Sequence, residues 1–419
     1  MDYIPRALEE RLHKYEKTYK AILVTGARQV GKSTLLKKVF PKRKYVTLDD
    51  PFMEQQAREE GNMFLALNPP PVTIDEVQRA KELFRYIKMK CDESEEKGLF
   101  SLSGSQPFHL MQNVSESLSG RIGIIELSTL SMRELMGDPF SQHFLPTLEY
   151  VTERRKSVKK PENIWELIHR GGYPELQDTD KEWNAFYADY VKTYMERDVR
   201  ELAAVHDLNA FRQLMIAAAA RTGEILNYSS IASEIGKDVG TVKNWISILE
   251  ASGIIYLLEP YTSNILKRAI KSPKLYFRDT GLVCYLTRWL TAENLAYGAM
   301  SGPIFETFVV SEILKSFSNE GLDYRHFVSY YRGRDKKKVE ENGETRELEM
   351  EIDLIIEENG ILYPIEIKKN TEVKAIMTSA FSVLDQISGK KRGMGAVICN
   401  CPDVGALREN VLQMPVWYI

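Results

Sequence analysis

Gly26-Ala-Arg-Gln-Val-Gly-Lys-Ser33 follows the apolar run Ala21-Ile-Leu-Val-Thr25 and leads into Thr34-Leu-Leu-Lys-Lys-Val-Phe40. The order is strand, glycine-rich loop, helix start, and the spacing G-x-x-x-x-G-K-S is that of a phosphate-binding loop. Gly26 and Gly31 permit backbone angles and close approaches that a Cβ would block. The loop amides and the positive end of the following helix are suited to an anion. Gly26, Ala27, Arg28, Gln29, Val30, Gly31, Lys32, Ser33 and Thr34 are therefore expected to surround the triphosphate of ATP. Lys32 is expected at the β- and γ-phosphates, and the Ser33 hydroxyl on Mg²⁺.

Working outward, Lys44-Tyr-Val-Thr-Leu-Asp-Asp50 reads as a strand ending in acids, and Pro51 opens a helical stretch. Pro69-Pro-Pro-Val-Thr-Ile-Asp-Glu76 reads as a short apolar strand ending in two acids. Asp75 is expected to help hold Mg²⁺ and Glu76 to orient or deprotonate an attacking water. Acids also cap helices, but the position after the loop in an alternating strand–helix chain favours the catalytic reading. Gly98-Leu-Phe-Ser-Leu-Ser-Gly-Ser105 reads as another buried strand ending in small polar residues; Ser103, Ser105 and Gln106 are candidates for a residue that senses the γ-phosphate, and an ordinary serine-rich turn is the competing reading. Arg121 precedes a fifth apolar strand. Two readings stand for it: a finger reaching the γ-phosphate of a neighbouring subunit in a homo-oligomer, or a structural salt bridge.

Together, GARQVGKST, VTIDEVQ, LSGSQ and SLSGRIGIIELSTLSMREL resemble the AAA-type ATPases of prokaryotes that carry a C-terminal domain of unknown function. Arg170-Gly-Gly-Tyr-Pro-Glu175 and Tyr190-Val-Lys-Thr-Tyr-Met-Glu-Arg-Asp-Val-Arg200 extend the resemblance over nearly the whole chain. It implies an α/β chain: an AAA-like domain with a parallel sheet, a helical winged helix-turn-helix middle, and an α/β nuclease-like end. The boundaries expected are 1–135 for the ATPase core, 136–205 for a helical lid or connector, 206–290 for the winged helix and 291–419 for the end domain.

In the connector, the basic run Arg154-Arg-Lys-Ser-Val-Lys-Lys160 reads as a solvated face. Residues 1–19 read as an amphipathic helix that includes Arg6, and the tyrosines of 187–194 as core. In the middle, Tyr228-Ser-Ser-Ile-Ala-Ser-Glu-Ile-Gly236, a turn over 237–241 and Val242-Lys-Asn-Trp-Ile-Ser-Ile-Leu-Glu-Ala-Ser252 read as a helix-turn-helix, with Gly253 fitting the C-cap. Thr241, Lys243 and Asn244 are the residues that would face a DNA groove. A single lysine is a thin electrostatic footprint, and packing or protein contact is the competing reading. Lys267-Arg268, Lys271 and Lys274 either extend a DNA surface or belong to a solvated loop.

From Gly302 the chain changes character. A helix carries Glu306, a strand carries Asp353, and Gly360-Ile-Leu-Tyr-Pro-Ile-Glu-Ile-Lys368 presents Glu366 and Lys368 on one face. The intervening 332–349 stretch is a highly charged hairpin or loop. This order resembles the PD-(D/E)xK nuclease fold, with Ile352 in place of the proline. The resemblance implies that Glu306, Asp353 and Glu366 hold Mg²⁺ and that Glu366 and Lys368 are catalytic; a silent, nuclease-like scaffold is the alternative.

Length and composition fit these expectations. The 419 residues allow about three domains. A hydrophobic share of 43% with 27% charged residues and a net charge of -3 is ordinary for a protein with buried cores, so any basic surface is local. Four cysteines without CxxC or zinc spacing point to a reducing compartment. With no secretory signal pattern and no membrane-spanning run, a cytoplasmic protein without membrane contact is expected. A small-molecule kinase is disfavoured, because Asp75-Glu76 suits hydrolysis better.

Overall fold

The computed structural model describes residues 3–105, 118–178, 180–195, 199, 207–262, 272–338 and 345–419. Gln106, Glu196, Arg197, Asp198, Lys267, Arg268 and Lys271 lie outside the described residues.

The N-terminal part is a five-stranded parallel sheet in the order β2-β3-β4-β1-β5. The strands are β1 (Ala21–Thr25), β2 (Lys44–Thr47), β3 (Val72–Asp75), β4 (Phe100–Ser103) and β5 (Ile122–Glu126). All five residues of β1 are buried, as expected of a central strand covered on both faces. Around the sheet lie α1 (Glu9–Thr18), α2 (Lys32–Val39), α3 (Pro51–Glu59), α4 (Gly61–Leu67) and α5 (Leu83–Glu93). Asp50 caps α3 by accepting from the Phe52 amide at 2.8 Å, and Pro51 sits at its first position. Helix α1 is shorter than the sequence pattern suggests. Arg6 stands before it and is 6% exposed.

Three short helices follow: α6 (Met132–Leu135), α7 (Leu148–Arg154) and α8 (Ile164–Arg170). One expectation fails here. Arg154 belongs to no solvated face; it is 1% exposed. Its guanidinium bonds Asp138 at 2.5 Å and the carbonyls of Tyr418 and Trp417 at 3.2 and 3.1 Å. A buried arginine with that many acceptors is a clamp between distant parts of the chain. Helix α9 (Trp183–Tyr194) buries Tyr187, Tyr190, Val191 and Tyr194.

The middle segment packs α10 (Leu208–Ala219), α11 (Tyr228–Ile235) and α12 (Val239–Ala251) before an antiparallel ribbon of β6 (Ile255–Leu258) and β7 (Lys274–Phe277). Helix α12 begins earlier than expected, because the Asp238 side chain caps it by accepting from the Thr241 amide at 2.9 Å. Lys274 is no loop residue: it is 3% exposed in β7. Helices α13 (Thr280–Leu286) and α14 (Ala292–Tyr297) lead to α15 (Ser301–Glu320).

The C-terminal part is a seven-stranded sheet. Its main path runs β13-β14-β12-β10-β9-β8, with β11 (Lys391–Arg392) beside β10. The other strands are β8 (Val328–Lys338), β9 (Thr345–Glu358), β10 (Ile361–Ile367), β12 (Gly395–Cys399), β13 (Gly405–Arg408) and β14 (Val411–Pro415). The described residues of the charged 332–349 stretch, up to 338 and from 345, pair as antiparallel strands, with Arg332 opposite Glu351 and Lys338 opposite Thr345. All four cysteines are buried free thiols.

One hydrophobic core runs through all three parts. It joins Leu8, Ile22 and Val24 of the first to Tyr187, Trp245 and Phe277 of the middle, and to Ile313, Met414 and Ile419 of the last. Polar ties cross the same joint. Glu312 on α15 accepts from the Met132 amide at 2.7 Å, and Lys315 donates to the Leu130 carbonyl at 3.1 Å. No helix among the described residues is long and apolar enough to cross a membrane.

Candidate functional site

The loop between β1 and α2 sits at the C-terminal edge of the parallel sheet, where α/β proteins place their ligands. Gly26 has φ +141°, and a Cβ there would stand 2.1 Å from the Leu127 carbonyl oxygen. The chain leaving β5 thus presses on this glycine and leaves no room for a side chain. Gly31 is required by its φ of +92°, since only Pro174 is near its missing Cβ. The Lys32 ammonium folds back on the loop, donating to the carbonyls of Gly26 and Ala27 at 3.0 and 2.7 Å.

Asp75 ends β3 beside this loop. Its carboxylate accepts the Ser33 hydroxyl at 2.8 and 3.0 Å, the Tyr45 hydroxyl at 2.5 Å and the Ser103 hydroxyl. Mg²⁺ favours oxygen ligands, and the Ser33 hydroxyl with the Asp75 carboxylate is a donor set that fits it. Glu76 adopts the left-handed conformation, φ 56° and ψ 40°. For a non-glycine residue this costs about 1–3 kcal/mol and is concentrated at functional sites. Its Oε2 receives Gln78 Nε2 and, at 3.3 Å, the Ser105 hydroxyl. Ser103 and Ser105 therefore divide between the two acids, and Ser105 lines the adjoining cavity.

That cavity measures about 830 Å³ and is bounded by Tyr3, Arg28, Lys32, Glu76, Pro174 and Tyr190 among others. Its size falls in the roughly 300–1,000 Å³ range of small-molecule sites. Pro174 belongs to the Arg170-Gly-Gly-Tyr-Pro turn, which the rest of the chain locks in place. The Asp279 carboxylate accepts the Gly172 amide at 2.7 Å and the Tyr187 hydroxyl at 2.6 Å. The neighbouring Arg278 pairs with Glu126 at the end of β5. Gly253, with φ +73°, lies directly behind the loop, and a Cβ there would be 3.3 Å from the Ala27 nitrogen.

Arg121 is elsewhere. It stands just before β5, at the opposite edge of the sheet from the loop, and its Nε donates to Asp92 at 2.5 Å. Within one chain it does not join the site.

The C-terminal candidates do converge. Lys368 Nζ lies 2.6 Å from Glu366 and 3.7 Å from Asp353. Asp353 also accepts the Ile367 amide at 2.8 Å. Burial, then the Asp353 charge, raises the carboxyls of Glu306 and Glu366 above the ordinary range. The Lys274 ammonium stands among these acids, 3.6 Å from Glu306, 2.6 Å from Glu351 and 4.0 Å from Asp353. Burial works against its charge, yet Glu306 and Asp353 hold its pKa above the usual lysine value. Among the described residues, no group of three or more His, Cys, Asp or Glu side chains is arranged to hold a metal ion. Lys368 belongs to the expected pattern, but the buried Lys274 ammonium among the carboxylates does not fit the Mg²⁺ expected of Glu306, Asp353 and Glu366.

Three contributors escaped the sequence reading. Arg6 donates to Glu134 at 2.9 Å and to the carbonyls of Val30 and Ser128 at 2.9 and 2.7 Å, tying the loop to α6. Tyr45 and Gln78 reach the two acids. Only Tyr45 carried a sequence signal, as an aromatic on the strand beside β3.

Comparisons with known proteins agree with the loop chemistry. Residues 18–136 match the family model described as an AAA domain, which supports an AAA-type, nucleotide-binding ATPase. Residues 161–293 and 301–419 match domains of unknown function, DUF8612 and DUF4143. Uncharacterized proteins of Mycobacterium tuberculosis and Mycobacterium bovis are each 27% identical over 367 residues, covering 87% of this chain and 73% of theirs. Among solved structures, a Walker-type ATPase of Pyrococcus abyssi aligns with TM-score 0.39 and 16% identity, over 68% of this chain and 96% of that one. A RuvB protein of Thermotoga maritima aligns with TM-score 0.30 and 16% identity, over 60% and 86%.

Proposed function

We propose that the chain hydrolyses Mg²⁺-bound ATP at Lys32, Ser33, Asp75 and Glu76 and couples that cycle to contact with DNA. The observation that carries the first half is the Ser33–Asp75 hydrogen bond at the mouth of a cavity lined by Glu76. In this reading Lys32 leaves the loop carbonyls and meets the β- and γ-phosphates. Bound Mg²⁺ neutralises phosphate charge, and Ser33 and Asp75 are the residues that hold it. Glu76, oriented by Gln78 and Ser105, takes the proton of the attacking water or aligns it. Ser105 then senses the γ-phosphate. Arg121 acts only from a neighbouring copy in a homo-oligomer, after release from Asp92.

The DNA half rests on the middle segment read as a winged helix: three helices, a two-stranded ribbon, and exposed Lys243 and Asn244 at the start of α12. The C-terminal domain is read as a nuclease-like scaffold. A second reading, a nucleotide-dependent regulator that recognises a protein, is favoured by one detail: Thr241 already bonds Asp238 through its hydroxyl at 2.5 Å, leaving a sparse contact face.

The test measures ATP turnover of wild type and Lys32→Ala, with and without duplex DNA. Turnover is expected in wild type only, and to rise with DNA. Turnover surviving in Lys32→Ala sinks the site assignment. Absence of both DNA binding and DNA stimulation sinks the DNA half and leaves the regulator.

A further inference from the structure

β7 carries a lysine out of the middle segment into the acids of the C-terminal domain. Alternate residues of a strand share a face, so Lys274 and Tyr276 reach the same target. The ammonium contacts Glu351, Glu306 and Asp353 as described above, and the Tyr276 hydroxyl donates to Glu306 Oε1 at 2.6 Å. Lys368, from the domain's own strand end, completes the arrangement at Glu366 and Asp353.

Buried carboxylates require positive charge or hydrogen-bond donors close by. A divalent cation would provide the charge from within about 2.0–2.6 Å of each ligand oxygen. Lys274 provides it from a longer distance and through a chain that is itself buried. The two are alternatives because the Lys274 side chain is only 3% exposed and has no open path along which to withdraw from a divalent ion, whereas Lys368, 34% exposed, can swing toward solvent. Glu366 Oε2 is buried without a hydrogen-bond partner, so the cluster still has an oxygen able to turn to a cation.

We infer that Lys274 is the resident counter-ion of the C-terminal acid cluster, and that it excludes a divalent metal from Glu306, Asp353 and Glu366. The middle segment thereby supplies to the C-terminal domain a charge that its sequence pattern implies would come from solution. This holds whether or not the chain contacts DNA or turns over ATP.

Mn²⁺ binding to the nucleotide-free full chain, followed by electron paramagnetic resonance, tests it. Asp75→Asn is the background, removing the phosphate-loop metal ligand. That background is expected to bind no Mn²⁺ through Glu366. Adding Lys274→Met is expected to create one site, at least tenfold tighter than any binding in the background, and adding Glu366→Gln is expected to remove it. If Lys274→Met folds and gains no Mn²⁺, the exclusion is wrong. Should Lys274→Met fail to fold, Asp75→Asn is compared with Asp75→Asn/Glu366→Gln. Mn²⁺ binding lost with Glu366 overturns the inference, and equal absence of binding supports it.

Discussion

Replacing Arg6 with alanine probes how the phosphate loop is held. The guanidinium makes three buried bonds, to Glu134, Val30 and Ser128, and both charged partners are nearly inaccessible. Burial alone would raise the Glu134 carboxyl; the Arg6 charge and the amides of Ser131 and Ala7 hold it below the ordinary value. Removing one member of a buried ion pair costs about 3–5 kcal/mol. The two orphaned carbonyls add about 1–3 kcal/mol each if they stay dry. Glu134 keeps its amide donors at 2.7 and 2.9 Å, and Arg6 borders the cavity, so water reaches part of the gap. The total is therefore set at the lower figure, about 3–5 kcal/mol. At about 2 °C per kcal/mol for a long chain, the melting temperature should fall by about 6–10 °C. Because the Val30 carbonyl belongs to the loop, nucleotide affinity should also drop about tenfold, or about 1.4 kcal/mol. Differential scanning fluorimetry and titration with a fluorescent ATP analogue measure both. A melting point within about 2 °C of wild type, with unchanged affinity, refutes the idea that Arg6 organises the loop.

Three further outcomes follow from the same structure. Glu76→Gln should keep ATP affinity within about threefold while phosphate release slows by about 10²–10⁴-fold; turnover near wild type would remove Glu76 from the chemistry. Gly171→Ala places a methyl 2.3 Å from the Tyr187 hydroxyl and 2.6 Å from Asp279, at φ +81°. Strain and overpacking together should cost at least about 2 kcal/mol in chemical denaturation, and a neutral result would show the turn to be free to shift. His169 stacks on Trp183 with its Nε2 2.9 Å from the Trp289 carbonyl, and burial depresses its pKa. Its contribution should be intact above about pH 6.5 and decline as pH falls toward the lower folded value, because the unfolded chain takes the proton first. His169→Gln should flatten that part of the melting-point profile between pH 7.5 and 5.5; an unchanged slope rejects the assignment.

What sequence could and could not disclose divides along contact range. The stretch from Gly26 to Ser33 and the Asp75-Glu76 pair are legible because backbone angle, helix start and strand end are local properties. Ser33 and Asp75 are 42 residues apart, but the loop and helix start after β1 and the end of β3 lie at the same edge of one parallel sheet, which brings them together by rule. Arg6 reaches Glu134 across 128 residues, and nothing around it distinguishes a buried clamp from a helical surface charge. Arg154 and Lys274 mislead for the same reason: a basic residue in a basic run looks solvated until its acceptors arrive from elsewhere in the chain. The acids of the C-terminal cluster are recognisable by spacing, while the charge that answers them belongs to a different segment.

The common core has a consequence in time. Ile22, Val24 and Ile125, on one face of the first sheet, share their cluster with Ile313, Met414 and Ile419. On the ribosome, roughly 15–60 s separate the synthesis of that sheet from the arrival of the last strands, at about 5–20 residues per second. During that wait Leu8, Leu12, Leu35 and Leu36 already pack in this cluster, but the part that Ile313, Met414 and Ile419 contribute is missing. The N-terminal sheet thus gains its full packing only when the last strands arrive, and a fragment ending near residue 136 is expected to expose apolar surface that the whole chain buries.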